Sequence, residues 1–440
     1  MNGLLARVRR PDRTPALAGL SDFHAAVGPR VASLAATHKY DLYSDRFRAE
    51  TYATFKRMRA EDPVLCQPGI DGETMLWFVT RHDDAVAVLL DDERFVRDLA
   101  LALTPDELEA YSSGMPEALA FIDTHMLNKD GDDHRRLRRL VTKAFTPRMV
   151  EQLRPRIQEI ADELIDAVET RREMELVDEF AFPLPITVIA ELLGIPVGDR
   201  DHFRRWTNEI VTPSRTPEDA AQFIQVIDEF VAYLRELFER RGMTPSDDLI
   251  SALLQVEEGG DTLSEEELSS MVVLLIIAGH ETTVSLIGNA VLALLEHPDQ
   301  RAQLQGDPER MSHAIEELLR YDSPVERTLN RWAATDVELG GQTIRRGEGV
   351  IVILGSANRD PSRFTDPDTL DFARADVKHL AFGRGSHYCL GAPLARVEAE
   401  VALTTLLRRL PGLRLAIPVE ELNWRPVPLF RSLASLPVAW

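Results

Sequence analysis

The segment Phe382-Gly383-Arg384-Gly385-Ser386-His387-Tyr388-Cys389-Leu390-Gly391 sets one cysteine among three glycines. Glycine lets backbone N–H groups approach an anionic atom with no Cβ in the way, and a thiolate that ligates a metal needs such hydrogen bonds to tune it. A cysteine outside such a loop reads as a small buried hydrophobe, as Cys66 does. Gly383-Arg384-Gly385 lacks the third glycine and the strand-to-helix context of a dinucleotide loop. A second cluster lies earlier. Ser269 to Leu295 is apolar at nearly every turn except around Gly279-His280-Glu281-Thr282, which predicts polar groups inside the protein that need partners. Thr282 can bond back to the carbonyl four residues earlier, and Glu281 can meet a basic partner. Gly279 costs about 1 kcal/mol against alanine in a helix interior, so its place beside Ala278 points to a flat or bulky group approaching the backbone. His280-Glu281 does not open a zinc-protease motif, because Thr283 stands where the second histidine would be.

Taken together, these residues resemble the cytochrome P450 family. Phe382, Gly385, Cys389 and Gly391 fill the fixed positions of its haem-ligand signature, Phe-x-x-Gly-x-x-x-Cys-x-Gly. Ala278-Gly279-x-Glu281-Thr282 is similar to its oxygen-activation motif, and Glu317-x-x-Arg320 to its buried Glu–Arg pair. Phe364-x-Asp366-Pro367 leading to Arg374 resembles the segment whose arginine completes that network. Order and spacing make the motifs specific, and the likeness runs from about residue 45 to 440.

The resemblance implies a single-domain cytochrome P450 fold, mainly α with a small β part, with haem b (iron protoporphyrin IX) between a long central helix and the cysteine loop. Cys389 is then the iron ligand, and Ala278, Gly279, Phe382, Gly383, His387, Leu390, Gly391 and Ala395 line the cofactor. His134 and Arg138, four apart and so on one helix face, join Arg331 and His387 as partners for the haem propionates, whose buried carboxylates need cations. Thiolate ligation favours O–O cleavage. By the same likeness Glu281 relays protons, while the Thr282 hydroxyl holds the hydroperoxo intermediate and ordered water. The expected reaction is insertion of one atom of O2 into an apolar small molecule. Substrate contacts are expected after Phe95, across Ile186 to Val226, at Val325 within Pro324 to Leu329, and at Leu429-Phe430. The alternative is a non-catalytic haem-thiolate gas sensor or electron carrier, against which Glu281-Thr282 argues. Electrons are expected from a separate ferredoxin or flavodoxin with its reductase, docked on a basic patch of Arg136, Arg139 and Lys143, with Arg384 and Arg396 nearby.

The elements that must position these groups are legible in part. Apolar residues recur at three and four over Met149 to Thr170, Glu218 to Arg241, Glu265 to Leu295 and Pro308 to Tyr321, which predicts long helices. Tyr52 to Arg59 also reads as helix. Pro63 to Leu65 and Thr74 to Thr80 flank Pro68-Gly69-Ile70-Asp71-Gly72 as a hairpin, and Val337 to Leu339 and Val350 to Leu354 read as strands. Residues 1–40 mix Arg, Pro, Ala and Gly without a period and read as an N-terminal extension, disordered in part, before one domain at 41–440. The net charge of −22 from 50 basic and 72 acidic residues disfavours nucleic acid and anionic membrane as partners. Two distant cysteines and no secretory leader fit a cytoplasmic protein. The most apolar run, Met271 to Ala278, is far short of the roughly 20 residues of a membrane span.

Overall fold

The computed structural model describes residues 38–440 apart from 71, 73, 113–123 and 212–216. Most of the expectation for residues 1–40 therefore lies outside the described residues. By Tyr40 the chain is already in the body: its ring is buried, and its hydroxyl donates to Asp62 at 2.6 Å.

The helices used below are α1 (Thr51–Glu61), α2 (Gly131–Ala144), α3 (Pro147–Val168), α4 (Pro183–Leu193), α5 (Arg200–Val211), α6 (Pro217–Met243), α7 (Glu265–Glu296), α8 (Met311–Tyr321) and α9 (Ala392–Arg409). The strands are β1 (Val64–Pro68), β2 (Met75–Val79), β3 (Phe95–Val96), β4 (Glu173–Glu175), β5 (Arg331–Ala333), β6 (Val337–Leu339), β7 (Gln342–Ile344), β8 (Gly349–Val352), β9 (Arg414–Leu415) and β10 (Pro437–Ala439). The expected helices and hairpin stand within a few residues of the reading. The strand expected to reach Leu354 stops at Val352, because Leu354–Ala357 turns into a short helix.

Among the described residues five strands form one sheet in the order β1-β2-β8-β5-β3, with β2 and β8 parallel. A second sheet, β4-β10-β9, ties the C-terminus to the middle of the chain. Both depend on pairing across long sequence separations, and only fragments of them show in local pattern.

The helical core is built around α7. Ser264 accepts from the Glu267 N–H at 3.1 Å while Glu267 accepts from the Ser264 N–H at 2.9 Å, a reciprocal cap that satisfies the free N–H groups of the first turn. Its apolar residues then pack against α4, α8 and α9. By length and composition α7 is apolar enough to cross a membrane, but it is mostly buried inside the protein, so its apolarity is that of a core helix. Along this buried helix Leu275, Ala278, Gly279 and Thr282 form a less covered stripe at i, i+3, i+4 and i+7.

Candidate functional site

The cysteine loop is held by backbone geometry that only glycine permits at two points. Gly383 and Gly385 stand at φ +70 and +82, in the left-handed region. A Cβ on Gly385 would lie 2.5 Å from the Leu89 carbonyl oxygen, so this glycine also permits a close approach of chains. The Cys389 N–H donates to the Phe382 carbonyl at 3.0 Å and the Tyr388 N–H to Gly385 at 3.1 Å, which closes the loop before α9 begins. Burial pushes the Cys389 thiol up. The Gly391 N–H, the charge of Arg138, the Ala392 N–H and the charge of Arg396 act against that by favouring the thiolate. Leu390 packs on the main core, and the Ala395 N–H donates to Gly391 at 3.0 Å in the first turn of α9. The Arg396 guanidinium lies 4.5 Å from the centre of the Phe382 ring.

Around this loop the structure gathers basic side chains from three distant segments. His134 on α2 lies ring to ring with His387 at 4.3 Å between centroids, and Arg138, one turn on, donates to the Tyr388 carbonyl at 2.8 Å. His387 is 3.4 Å from Asp130, and Arg331 on β5 donates to the Phe95 carbonyl at 2.8 Å and reaches Asp92 at 3.4 Å. Arg97 belongs to this group and was not singled out in the sequence. It donates to the Leu127 carbonyl at 3.0 Å, to Asn128 at 3.1 Å and to the Asn330 carbonyl, while its own N–H donates to Asp130 at 2.6 Å. No local signal marks it, since its partners arrive from elsewhere in the chain. Burial, then the neighbouring charges of His387 and Arg138, depress His134 to about 4. Burial and Arg331 lower Arg97 to about 10. His387, Arg138 and Arg331 are lowered as well, in each case by burial first. Basic groups therefore outnumber the carboxylates Asp130 and Asp92 here, and His134 Nε2 has no hydrogen-bond partner among the described residues. Such a place wants negative charge.

The α7 stripe carries polar groups arranged by the helix itself. The Thr282 hydroxyl donates to the Ala278 carbonyl at 2.6 Å, leaving its oxygen lone pairs free to accept. Thr283 donates to Gly279 at 3.1 Å. Among the described residues a Cβ on Gly279 would meet only Ile189 Cδ1, at 3.8 Å, so none of them demands glycine there. Glu281 is 2% exposed and forms an ion pair with Arg425. Beneath the helix Glu398 of α9 is buried, and burial raises it to about 8 against a hydrogen bond with Thr283. An acid at an apolar position of α9 is a signal that sequence reading passed over.

Glu317 and Arg320 of α8 are fully buried. Arg320 donates to both Glu317 oxygens at 2.7 and 2.8 Å and to the carbonyls of Asn358, Pro367 and Thr369, while Arg374 Nε bonds Glu317 at 3.1 Å. Val325, Leu429 and Phe430 also come together, through a bridge from Val325 to Phe430 and the Glu326 N–H donating to Leu429 at 3.0 Å. The cations expected to form a basic docking patch have acidic neighbours. Arg136 pairs with Asp261 at 3.1 Å and with Glu267, Arg139 and Lys143 lie 3.9 and 3.5 Å from Glu258, and Arg396 pairs with Glu316 at 2.7 Å. These acids come from the segment before α7, from the first turn of α7 and from α8, so helical geometry on α2 alone could not reveal them.

The sequence model of the cytochrome P450 family matches residues 72–411. The chain belongs to the cytochrome P450 family. It is 42% identical over 402 residues to 6-deoxyerythronolide B hydroxylase of Saccharopolyspora erythraea, covering 90% of this chain and 98% of that one. The structure of the P450 PksS from the Bacillus subtilis bacillaene polyketide synthase superimposes with a TM-score of 0.85 at 40% identity, covering 91% and 99% of the two chains. That of the myxobacterial P450 CYP267B1 in complex with myristic acid gives 0.84 at 47% identity, covering 90% and 98%. As a member of this family the protein is a haem b enzyme, a monooxygenase acting on a small molecule. The residues present fit that cofactor. A thiol stands in a cradle of N–H groups, and buried cations with an unpartnered imidazole nitrogen match the charge of two propionates.

Proposed function

We propose that Cys389 would ligate the haem iron, that Glu281 and Thr282 would hold and deliver protons, and that the enzyme hydroxylates or epoxidises an apolar molecule of the acyl-chain type, from fatty acid to polyketide. The observation that carries this reading is the stripe of Ala278, Gly279 and Thr282 on a mostly buried helix, beside the buried carboxylate of Glu281.

When bound, the haem supplies the iron at which dioxygen is activated. Cys389 gives up its proton on ligation, as a metal-bound thiol must, and the N–H groups of Gly391 and Ala392 with the charges of Arg138 and Arg396 hold the resulting anion. Arg97, Arg138, Arg331, His134 and His387 would hold the propionates. The Thr282 hydroxyl, donating to Ala278, offers its oxygen as an acceptor that keeps a water in place. Glu281 exchanges a proton with that water once it turns from Arg425. Glu398, still protonated near neutral pH, stands behind Thr283 as a proton store.

The acyl-type substrate is supported by the apolar residues Val325, Leu429 and Phe430 at one point and by two of the similar structures, one of a P450 from a polyketide synthase and one in complex with myristic acid. We place the enzyme in the cytoplasm, with a separate ferredoxin or flavodoxin and its reductase as electron donor. The decisive experiment is the absorption spectrum of the reduced protein with carbon monoxide. Wild type is expected to show the red-shifted band of thiolate-ligated haem, Cys66→Ala to keep it and Cys389→Ala to lose it; the reverse pattern would refute the assignment. A titration series of fatty acids and polyketide lactones, followed by displacement of water from the iron, tests the substrate class. A series in which only terpenoids or steroids shift the spectrum would reject it.

A further inference from the structure

A carboxylate buried in an apolar helix needs a cation or a proton, and the side chains beside Glu281 on α7 contact other groups. His280, next to it, packs edge-on against Phe182 at 4.5 Å between centroids. The Thr282 and Ser285 hydroxyls donate to the Ala278 and Glu281 carbonyls at 2.6 and 2.9 Å. The cation comes instead from Arg425, far along the chain.

Arg425 sits on a hairpin whose two arms are joined by the Ala434 N–H donating to Asn423 at 2.8 Å, a bridge between Trp424 and Leu433, and the Arg425 N–H donating to Ser432 at 2.8 Å. The tip of that hairpin carries Leu429 and Phe430. It is sewn to Pro324–Glu326 by the Val325–Phe430 bridge and by the Arg431 N–H donating to Pro324 at 2.9 Å. On its other side the hairpin meets α7 again, where Asn289 donates to the Arg431 carbonyl at 2.8 Å. One hydrogen-bonded unit thus holds both the apolar side chains proposed to touch substrate and the cation that holds the acid.

We propose that Arg425 is a positioning residue for Glu281, and that the hairpin of residues 423–434 couples occupancy of the substrate pocket to release of that carboxylate. This rests on the reading of Glu281 as the proton relay. In the empty enzyme Arg425 keeps the carboxylate turned away from Thr282. A molecule pressing on Leu429 and Phe430 shifts the hairpin and frees it. The device suppresses wasteful reduction of oxygen, in which O2 takes two electrons from a reduced nicotinamide through the redox partner, and two protons, to leave as hydrogen peroxide.

The test uses the haem-loaded full chain without substrate, a surrogate ferredoxin with its reductase, and a reduced nicotinamide, and reads peroxide formed in H2O and in D2O. Arg425→Gln is expected to release peroxide roughly fivefold faster or more, the scale of a coupling between sites, with a smaller solvent isotope effect. Arg425→Lys should stay near wild type, and Phe430→Ala should move in the same direction as Arg425→Gln by a smaller factor. Because Arg425 acts through Glu281, neither Arg425→Gln nor Phe430→Ala should change the rate in a Glu281→Gln background. An Arg425→Gln rate at or below wild type, or an effect that persists without Glu281, would overturn the positioning role. A wild-type rate for Phe430→Ala would overturn the coupling through the hairpin. If Arg425→Gln loses the reduced carbon monoxide band, Arg425→Lys and the Phe430→Ala pair with and without Glu281 carry the test. Failure of the underlying reading looks different: the wild-type band is then absent, or Glu281→Gln turns over like wild type.

Discussion

Two buried charged clusters in this protein are built alike and end differently. Around Glu317, three segments converge so that the carboxylate accepts from Arg320, Arg374 and the Asp371 N–H, while the nitrogens of Arg320 reach Glu317 and three carbonyls. Around His387, three segments bring Arg97, Arg138, Arg331 and His134 together against Asp130 and Asp92, and among the described residues an imidazole nitrogen is left over. The first cluster is closed and needs nothing further. The second is short of negative charge, and burial disfavours the charged form of every cation in it. A buried network that satisfies itself is scaffold, whereas one that does not is waiting for a ligand.

Breaking the closed cluster should have the largest effect. Arg320→Ala strands a buried carboxylate and is expected to cost about 3–5 kcal/mol, enough to consume much of a domain's stability. Urea unfolding of the purified variant checks it, and an unchanged midpoint would mean that the network does not hold the fold.

Glu398 gives the next effect, and its sign is fixed by linkage. In the folded protein it keeps its proton to about pH 8, while in the unfolded chain it ionises near 4.5. Unfolding then releases a proton between these values, so its contribution makes stability fall as pH rises from about 4.5 to about 8. Glu398→Gln should flatten that slope and stabilise the protein at pH 8 by a few kcal/mol, read from thermal or urea unfolding across the range. A slope identical to wild type would show that Glu398 ionises as readily folded as unfolded.

The open cluster should respond in a different quantity. Arg331→Gln is expected to leave the stability of the haem-free protein nearly unchanged, since it relieves crowded positive charge, yet to weaken haem retention by about 1.5–3 kcal/mol, the scale of a charge-assisted hydrogen bond. Haem transfer to a scavenging globin measures it. Equal loss rates in wild type and variant would erase the distinction between the two clusters. Smallest of all, Arg139→Ala on the surface should change stability by less than about 0.5 kcal/mol, because its contact with Glu258 at 3.9 Å is exposed. Its effect on reduction by an acidic ferredoxin should be slight as well, because Glu258 lies against both it and Lys143. A large drop in that rate would restore the patch as a docking surface.

How much of this was open to sequence reading depends on the distance over which each feature is decided. Helices such as α3, α6 and α7 declare themselves because their periodicity and caps lie within a few residues. The cysteine loop does so because its glycines answer to backbone demands inside ten residues, as at Gly385. Arg97, Arg425 and Glu398 escaped notice, though each lies in or beside the site, since a lone arginine or glutamate gains meaning only from what faces it. The acids beside the α2 cations were hidden for the same reason: Asp261 and Glu258 come from the segment before α7 and Glu267 from its first turn, and no local pattern sets them against that helix.

Sequence alone determined that a cysteine stands in a glycine cradle, that a glycine–acid–threonine step interrupts an apolar helix, and that Glu317 and Arg320 share a helix face, because covalent neighbours and helical period carry those facts. Tertiary structure decided which charges are spent and which are left over. Burial and pairing are properties of the packed chain, and it is packing that closes the ring around Glu317, leaves the cations beside Cys389 short of partners, and puts Arg425 on Glu281.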